Sequence, residues 1–258
     1  MILLAVAAGL LIGTSLGALG GGGSILTVPA LVYLLGQSAH QATTVSLMVV
    51  GTAAAVGALV HARGGRVRLK AGAAFGGLGI AGSYAGSRAS ATVPADVLLA
   101  GFGLLMLAVA VMMILRRRGQ AQRTQGAAPA GGARHAILVG AAATGVGLIT
   151  GFFGVGGGFV VVPALVLVLG FDMPTAAGTS LVVIAVNSTV ALAARAGHGG
   201  LTLDWALIGA FTGAAVTGAL AGSSLAGHAN PQRMSAAFTL LVLIVAGYTL
   251  TRSLPGLL

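Results

Sequence analysis

Gly17-Ala-Leu-Gly-Gly-Gly-Gly-Ser-Ile-Leu-Thr-Val-Pro29 decides how the rest of the chain reads, and a second version, Gly151-Phe-Phe-Gly-Val-Gly-Gly-Gly-Phe-Val-Val-Val-Pro163, follows later. In each, a glycine run interrupts an apolar stretch, and a short apolar segment carrying a proline comes next. As a helix, 24–36 would be roughly 20 Å long, too short to cross a bilayer alone. Its counterpart, 158–170, has the same length and its own Pro163. Short segments interrupted by Gly and Pro, at matching positions of two halves, are a sequence pointer to a transporter's binding site.

The match extends far beyond the motif. Sliding the chain by 134 residues lays Gly13, Gly17 and Gly20 on Gly147, Gly151 and Gly154, and Val28-Pro-Ala-Leu31 on Val162-Pro-Ala-Leu165. Gly36 falls on Gly170, and Ser46-Leu47 on Ser180-Leu181. After a two-residue insertion, Gly77, Gly82, Gly86 and Phe102 fall on Gly213, Gly218, Gly222 and Phe238. The chain is therefore a duplication. It divides into a first membrane repeat, 1–116, a basic cytoplasmic linker, 117–135, and a second membrane repeat, 136–258. Each repeat parses into five apolar elements, near 2–19, 24–36, 39–62, 69–90 and 94–116, and near 136–153, 158–170, 173–195, 204–226 and 231–251.

These elements belong in a membrane. Apolar residues make up 57% of the chain and charged residues only 6%, against about 25% charged in soluble domains. Such a chain cannot cover a water-facing surface. The 44 glycines sit within apolar stretches, where small residues let helix backbones approach. The runs are too long, and too little alternating, for barrel strands. The fold class is thus an all-α, multi-pass integral membrane protein of a bacterial inner or plasma membrane. The net charge of +10 gathers in loops, at Arg63, Arg66, Arg68 and Lys70 and again at Arg116, Arg117, Arg118, Arg123 and Arg134. Basic clusters between apolar spans mark the cytoplasmic face and suit anionic lipid headgroups. They carry no aromatic stacking residues, so nucleic acid is not an expected partner. Residues 2–19 are apolar like a signal peptide but have no basic stretch before them, and the same segment recurs in mid-chain.

Two topologies are open. With a re-entrant short element, each copy has four spans, the copies lie parallel, and the total is about eight. If the short element crosses, or pairs with the first element as a hairpin, each copy has an odd number and the copies are inverted. The parallel arrangement is the expectation.

The chemistry of the motif lies in its backbone. A helix start leaves N–H groups unpaired and carries partial positive charge. Glycines let an anion approach those amides without a side chain intervening. Two such starts, one per repeat, can meet at mid-membrane and cradle one negative charge. The candidate substrate-binding residues are Gly20, Gly22, Gly23 and Ser24 with Gly154, Gly156, Gly157 and Gly158, and the polar residues of the third elements, Ser46, Thr179, Ser180 and Asn187. The competing reading is that the glycines only permit tight helix crossing, and that the hydroxyls bond between helices or back to their own helix. No lysine follows the glycines, so the motif is not a nucleotide P-loop.

The doubled pattern Gly-x-x-Gly-x-Gly-Gly-Gly/Ser-x-x-x-Val-Pro, with a basic linker between copies, resembles the TauE/SafE family, also described as sulfite exporters or toluene-sulfonate uptake permeases. The resemblance spans almost the whole chain. Gly200-Leu-Thr-Leu-Asp-Trp205 is also similar to a family segment, which the first copy reduces to Gly65-Arg-Val-Arg-Leu69. The copies depart from each other at Gly21, which is Val155, and at Ser24, which is Gly158. The resemblance implies transport of small sulfur-containing anions such as sulfite or sulfonates, and its usual description is eight spans.

The remaining polar residues add little chemistry. Asp96, Asp172 and Asp204 are the only acids. Asp172 and its equivalent Ser38 read as helix N-caps, and Asp204 beside Trp205 as interfacial. His61 and His198 read as solvated loop residues. There are no cysteines, no metal motif, no paired carboxylates and no Ser/His/Asp arrangement, so neither a cofactor, a metal nor an enzyme activity is expected. The expected function is secondary transport of a small anion. The alternative is a non-transport assembly or lipid-binding protein whose glycines serve only packing. The partners are then a small anionic substrate and membrane lipid, with a homo-oligomer left open.

Overall fold

A computed structural model of the chain describes residues 2–120, 133–154, 158–195, 204–226 and 230–253. Among them the secondary structure is helical throughout. The first repeat holds α1 (Ile2–Leu19), α2 (Gly22–Pro29) continued by a π-helical turn (Ala30–Leu34), α3 (Ala39–Arg63), α4 (Leu69–Ser90) and α5 (Ala95–Gln120). The second holds α6 (Ala133–Phe153), α7 (Gly158–Val168), α8 (Met173–Arg195), α9 (Trp205–Leu225) and α10 (Pro231–Ser253). Seven of these helices are long and apolar enough to cross a membrane: all but α2, α4 and α7. The 22-residue α4 is rich in glycine and serine, yet it occupies the position that α9 holds in the other repeat.

Local chemistry sets the boundaries. Ser38 caps α3 through a reciprocal pair with Gln41, its hydroxyl accepting from the Gln41 N–H at 3.3 Å. Asp204, read from the sequence as interfacial, caps α9 by accepting from the Ala206 and Leu207 N–H groups, both at 3.1 Å. Pro29 has no N–H to donate, and the helix widens directly after it, with the Leu35 N–H reaching the Ala30 carbonyl.

Helix directions select the inverted topology. Gly51 faces Ser188, and Gly57 faces Leu181. The numbers run oppositely, so the equivalent helices α3 and α8 are antiparallel. Gly72, Gly76 and Gly79 of α4 lie against Thr179, Val183 and Asn187 of α8, so those two are parallel. The parallel-copy expectation fails because α2 does not plunge and return by itself. It doubles back along α1: Gly22 packs on Leu19, and Gly23 on Leu16 and Ile12. Each repeat is therefore a hairpin that returns to its starting side, followed by three long helices, an odd number of passes, which turns the second copy over.

The hairpins are exchanged between repeats. α1 packs along α9 of the second repeat, and α6 along α4 of the first. A Cβ at Gly13 would lie 2.7 Å from the Ala215 carbonyl carbon, and one at Gly17 2.8 Å from the Ser223 nitrogen. At the equivalent positions, Gly147 meets the Gly79 backbone and Gly151 meets Ser83 and Ser87. These glycines serve close crossing, as the packing reading holds. Gly13→Leu forces backbone apart, so its cost is expected at the upper end of the about 1–3 kcal/mol of ordinary overpacking. Thermal unfolding in detergent checks this, and an unchanged Tm would contradict the crossing.

The basic cluster Arg63–Lys70 lies where α3 ends and α4 begins. Phe102, early in α5, meets Phe153 at the end of α6. α5 therefore ends, and α6 begins, at that same basic end.

Candidate functional site

The chain reverses at Gly20 and Gly154, equivalent residues with φ of +75° and +63°, a left-handed backbone that glycine adopts without penalty. Each closes its preceding helix alike: the Gly20 N–H donates to Leu16 O at 2.8 Å, and the Gly154 N–H to Thr150 O at 3.0 Å. After the turn, α2 starts with Gly21 as N-cap and no side-chain cap.

The two short helices meet at their starts. A Cβ at Gly158 would lie 2.7 Å from the Gly21 Cα and 3.1 Å from the Ser24 hydroxyl, and one at Gly21 would lie 2.8 Å from the Phe159 nitrogen. The contact is backbone on backbone, so an ion would sit beside Gly21 and Gly158 rather than between them. It also accounts for both departures within the doubled motif. Gly21 and Gly158, each glycine only in its own copy, are the two that face each other.

The expected site residues divide. Gly20 lies against Ala177 and the Ser180 hydroxyl, and Ser24 lies beside Gly158. The Ser24 hydroxyl donates to Gly21 O and that of Ser180 to Ala177 O, both at 2.7 Å. Gly22 and Gly23 face instead the side chains of Leu19 and Leu241 and the chain at Ile12 and Leu16. The Thr179 hydroxyl accepts from the Arg68 N–H at 3.1 Å, holding the loop before α4. Ser46 and Asn187 are fully buried with side-chain polar atoms that have no partner among the described residues, and Asn187 faces Gly79 of α4. Because α3 and α8 are antiparallel, Ser46 and Ser180 lie toward opposite ends. Gly156 and Gly157 fall outside the described residues.

Two residues that sequence reasoning left aside stand out. Arg195, at the end of α8, spends all five of its N–H donors on neutral oxygens. Nε donates to Ser87 Oγ at 2.9 Å, and Nη1 to the hydroxyls of Thr43 at 2.6 Å and Thr44 at 3.2 Å. Nη2 donates to Ser90 Oγ at 3.2 Å and Gly151 O at 2.9 Å. The Thr43 and Thr44 hydroxyls donate to His40 O, and that of Ser87 to Ala191 O. Their lone pairs are thus left facing the guanidinium. His61, read from the sequence as solvated, is instead fully buried, because it lies on the face of α3 that packs against α1. Its Nε2 lies 2.8 Å from Gly17 O. The 134-residue repeat would have revealed the pair: His61 falls on Arg195, and Gly17 on Gly151.

A curated "Probable membrane transporter protein" of Xylella fastidiosa (strain 9a5c) is 32% identical over 259 residues, covering 99% of this chain and 97% of that protein. "Probable membrane transporter protein YdhB" of Bacillus subtilis (strain 168) is 28% identical over 224 residues, covering 80% of this chain and 86% of that protein. No solved structure matches. The sequence model of the family described as "Sulfite exporter TauE/SafE" matches residues 5–249, and the chain therefore belongs to the sulfite exporter TauE/SafE family.

Proposed function

We propose that this membrane transporter carries a small sulfur-containing oxyanion, such as sulfite or an organosulfonate, by rocking its two inverted repeats about the meeting point of α2 and α7. The observation that carries the reading is that meeting: the glycine-rich starts of α2 and α7, one per repeat, come together at buried Gly21 and Gly158, and the start of α2 has no side-chain cap. Helix starts attract negative charge, and inverted repeats are the architecture in which such a site is exposed alternately to either side. The basic end, with Arg63, Arg66, Arg68 and Lys70, is the cytoplasmic one. The alternative of a packing protein accounts for Gly13, Gly17, Gly147 and Gly151, but not for buried hydroxyls left without partners.

Ser46 separates the two. Its hydroxyl has no partner among the described residues, so Ser46→Ala should leave the Tm unchanged or slightly raised. If the hydroxyl binds the anion, uptake should fall about tenfold, the worth of one hydrogen bond to a charged group. The measurement is uptake of labelled sulfite, sulfoacetate and taurine by proteoliposomes, with and without a pH gradient. Flux of all three no greater than in protein-free liposomes would end the proposal.

A further inference from the structure

The pseudo-two-fold places an equivalent of the Arg195 cluster at the basic end, and that equivalent is incomplete. There the His61 ring stands in for the guanidinium, Gly17 O for Gly151 O, and Ser223 for Ser87. Arg66, from the loop after α3, reaches in and donates through Nη2 to Ser223 O at 3.1 Å. Three buried polar atoms here have no partner among the described residues: Arg66 Nη1, Ser223 Oγ and His61 Nδ1. Their residues meet around two glycines. A Cβ at Gly17 would touch the Ser223 nitrogen, and one at Gly178 would lie 3.2 Å from His61 Cβ and against the Arg66 carbonyl. At the Arg195 end, the matching serine hydroxyl accepts from the guanidinium at 2.9 Å. At the basic end its equivalent is open.

We infer that Arg66, Ser223 and His61 form a binding site for a small oxyanion at the basic end of the bundle, and that the anion binds together with a proton on His61 Nδ1. Arg66 Nη1 and the Ser223 hydroxyl are donors. Buried donors without partners are costly, and an oxyanion satisfies both while neutralising the guanidinium. His61 supplies the proton coupling. Its Nε2 faces a carbonyl oxygen, which only accepts, so Nε2 carries the hydrogen and Nδ1 of the neutral ring is a bare lone pair. Protonation turns Nδ1 into a third donor. Anion and proton then stabilise one another, and the linkage is reciprocal.

The surroundings supply no competing carboxylate from the packed helices. Among the described residues, α1, α7 and α9 carry no titratable side chain, and α8 carries only Arg195, at its far end. α4 carries Lys70, Tyr84 and Arg88, and α3 itself His40 and Arg63. Arg116, Arg117 and Arg118 close α5, and Arg233 opens α10, at this same end, with Asp172 just before α8. Arg66 is the charged side chain that reaches the cluster.

The site goes beyond the α2–α7 meeting point and is tested by binding rather than by flux. The probe is methanesulfonate, which stays ionised from about pH 5.5 to about pH 8, across the ordinary histidine range. It is titrated calorimetrically into the full chain in detergent free of anionic lipid. Wild type should bind more tightly at the acidic end. Ser223→Ala should bind about tenfold more weakly with no loss of Tm, since the removed hydroxyl holds no described protein atom. His61→Gln, which keeps a donor toward Gly17 O, should bind with no pH dependence. Wild-type-like binding by Ser223→Ala, pH dependence surviving in His61→Gln, or no binding by wild type overturns the site. So does binding that appears only in nanodiscs containing phosphatidylglycerol, which would make this a lipid-headgroup site. Flux that persists in Ser223→Ala with unchanged binding removes this site alone. Binding without flux in wild type removes the transport reading and keeps the site.

Discussion

Gly21→Ala should abolish uptake while a comparable substitution at Gly36 should not. An added Cβ at Gly21 would lie 2.8 Å from the Phe159 nitrogen and run into the Gly158 carbonyl. Both obstacles are backbone, so neither can rotate away, and the starts of α2 and α7 must separate. Overpacking of this kind costs about 1–3 kcal/mol. The functional loss should be larger than the loss of stability, because displacing aligned amides by about 1 Å can cost about a hundredfold where geometry is the mechanism. Gly36 is the control. It also has a left-handed backbone, with φ of +66°, but open space around its Cβ position. Gly36→Ala should therefore cost only the local strain of about 1–2 kcal/mol and keep transport. Uptake by proteoliposomes, read beside the Tm of each variant, checks both. Wild-type uptake by Gly21→Ala would mean the meeting of the short helices is incidental.

The second large effect belongs to Arg195. Its guanidinium ties α8 to α3 through Thr43 and Thr44, to α4 through Ser87 and Ser90, and to the end of α6 through Gly151 O. Two terms oppose each other. Burying a cation without a carboxylate is costly, so removal could relieve strain. Against that, removing it leaves lone pairs facing one another, because the Thr43, Thr44 and Ser87 hydrogens are committed to His40 O and Ala191 O. Hydrogen bonds to a charged donor are worth about 1.5–3 kcal/mol each, and five of them outweigh the desolvation. Arg195→Gln should destabilise the protein by about 3 kcal/mol or more. Arg195→Lys should fall between, since an ammonium has three donors and no planar fork. The variant should also loosen the α6 hairpin from α3 and α4. The chain has no cysteine, so a thiol reporter at the fully buried Ala191 reads the loosening directly: Ala191→Cys should label faster in the Arg195→Gln background. Equal labelling rates and an equal Tm would show that Arg195 holds nothing.

The Arg195 cluster also shows where sequence reading runs out. The membrane environment, the duplication and the site of each chain reversal were legible, because each depends on local composition or on a period along the chain. Gly20 and Gly154 belong to glycine-rich motifs that let the chain turn sharply, and both take left-handed backbone, while the sparsity of charge forbids a water-facing surface in any fold. His61 was misread because it borders the basic loop in sequence, whereas its burial comes from α1 packing on that face of α3, a partner that hydropathy along the chain does not encode.

The sequence by itself thus determined a helical membrane protein in two copies, broken by glycine at matching points. The tertiary structure alone decided that the copies are inverted, since that hinges on whether one short helix doubles back, a matter of packing between Gly23 and Leu16 rather than of hydropathy. It alone decided, too, that Gly21 meets Gly158, and that His61 and Arg195 occupy equivalent cradles at opposite ends. Those pairings join residues far apart in the chain, and no local pattern encodes which distant backbone a glycine has been kept small to admit.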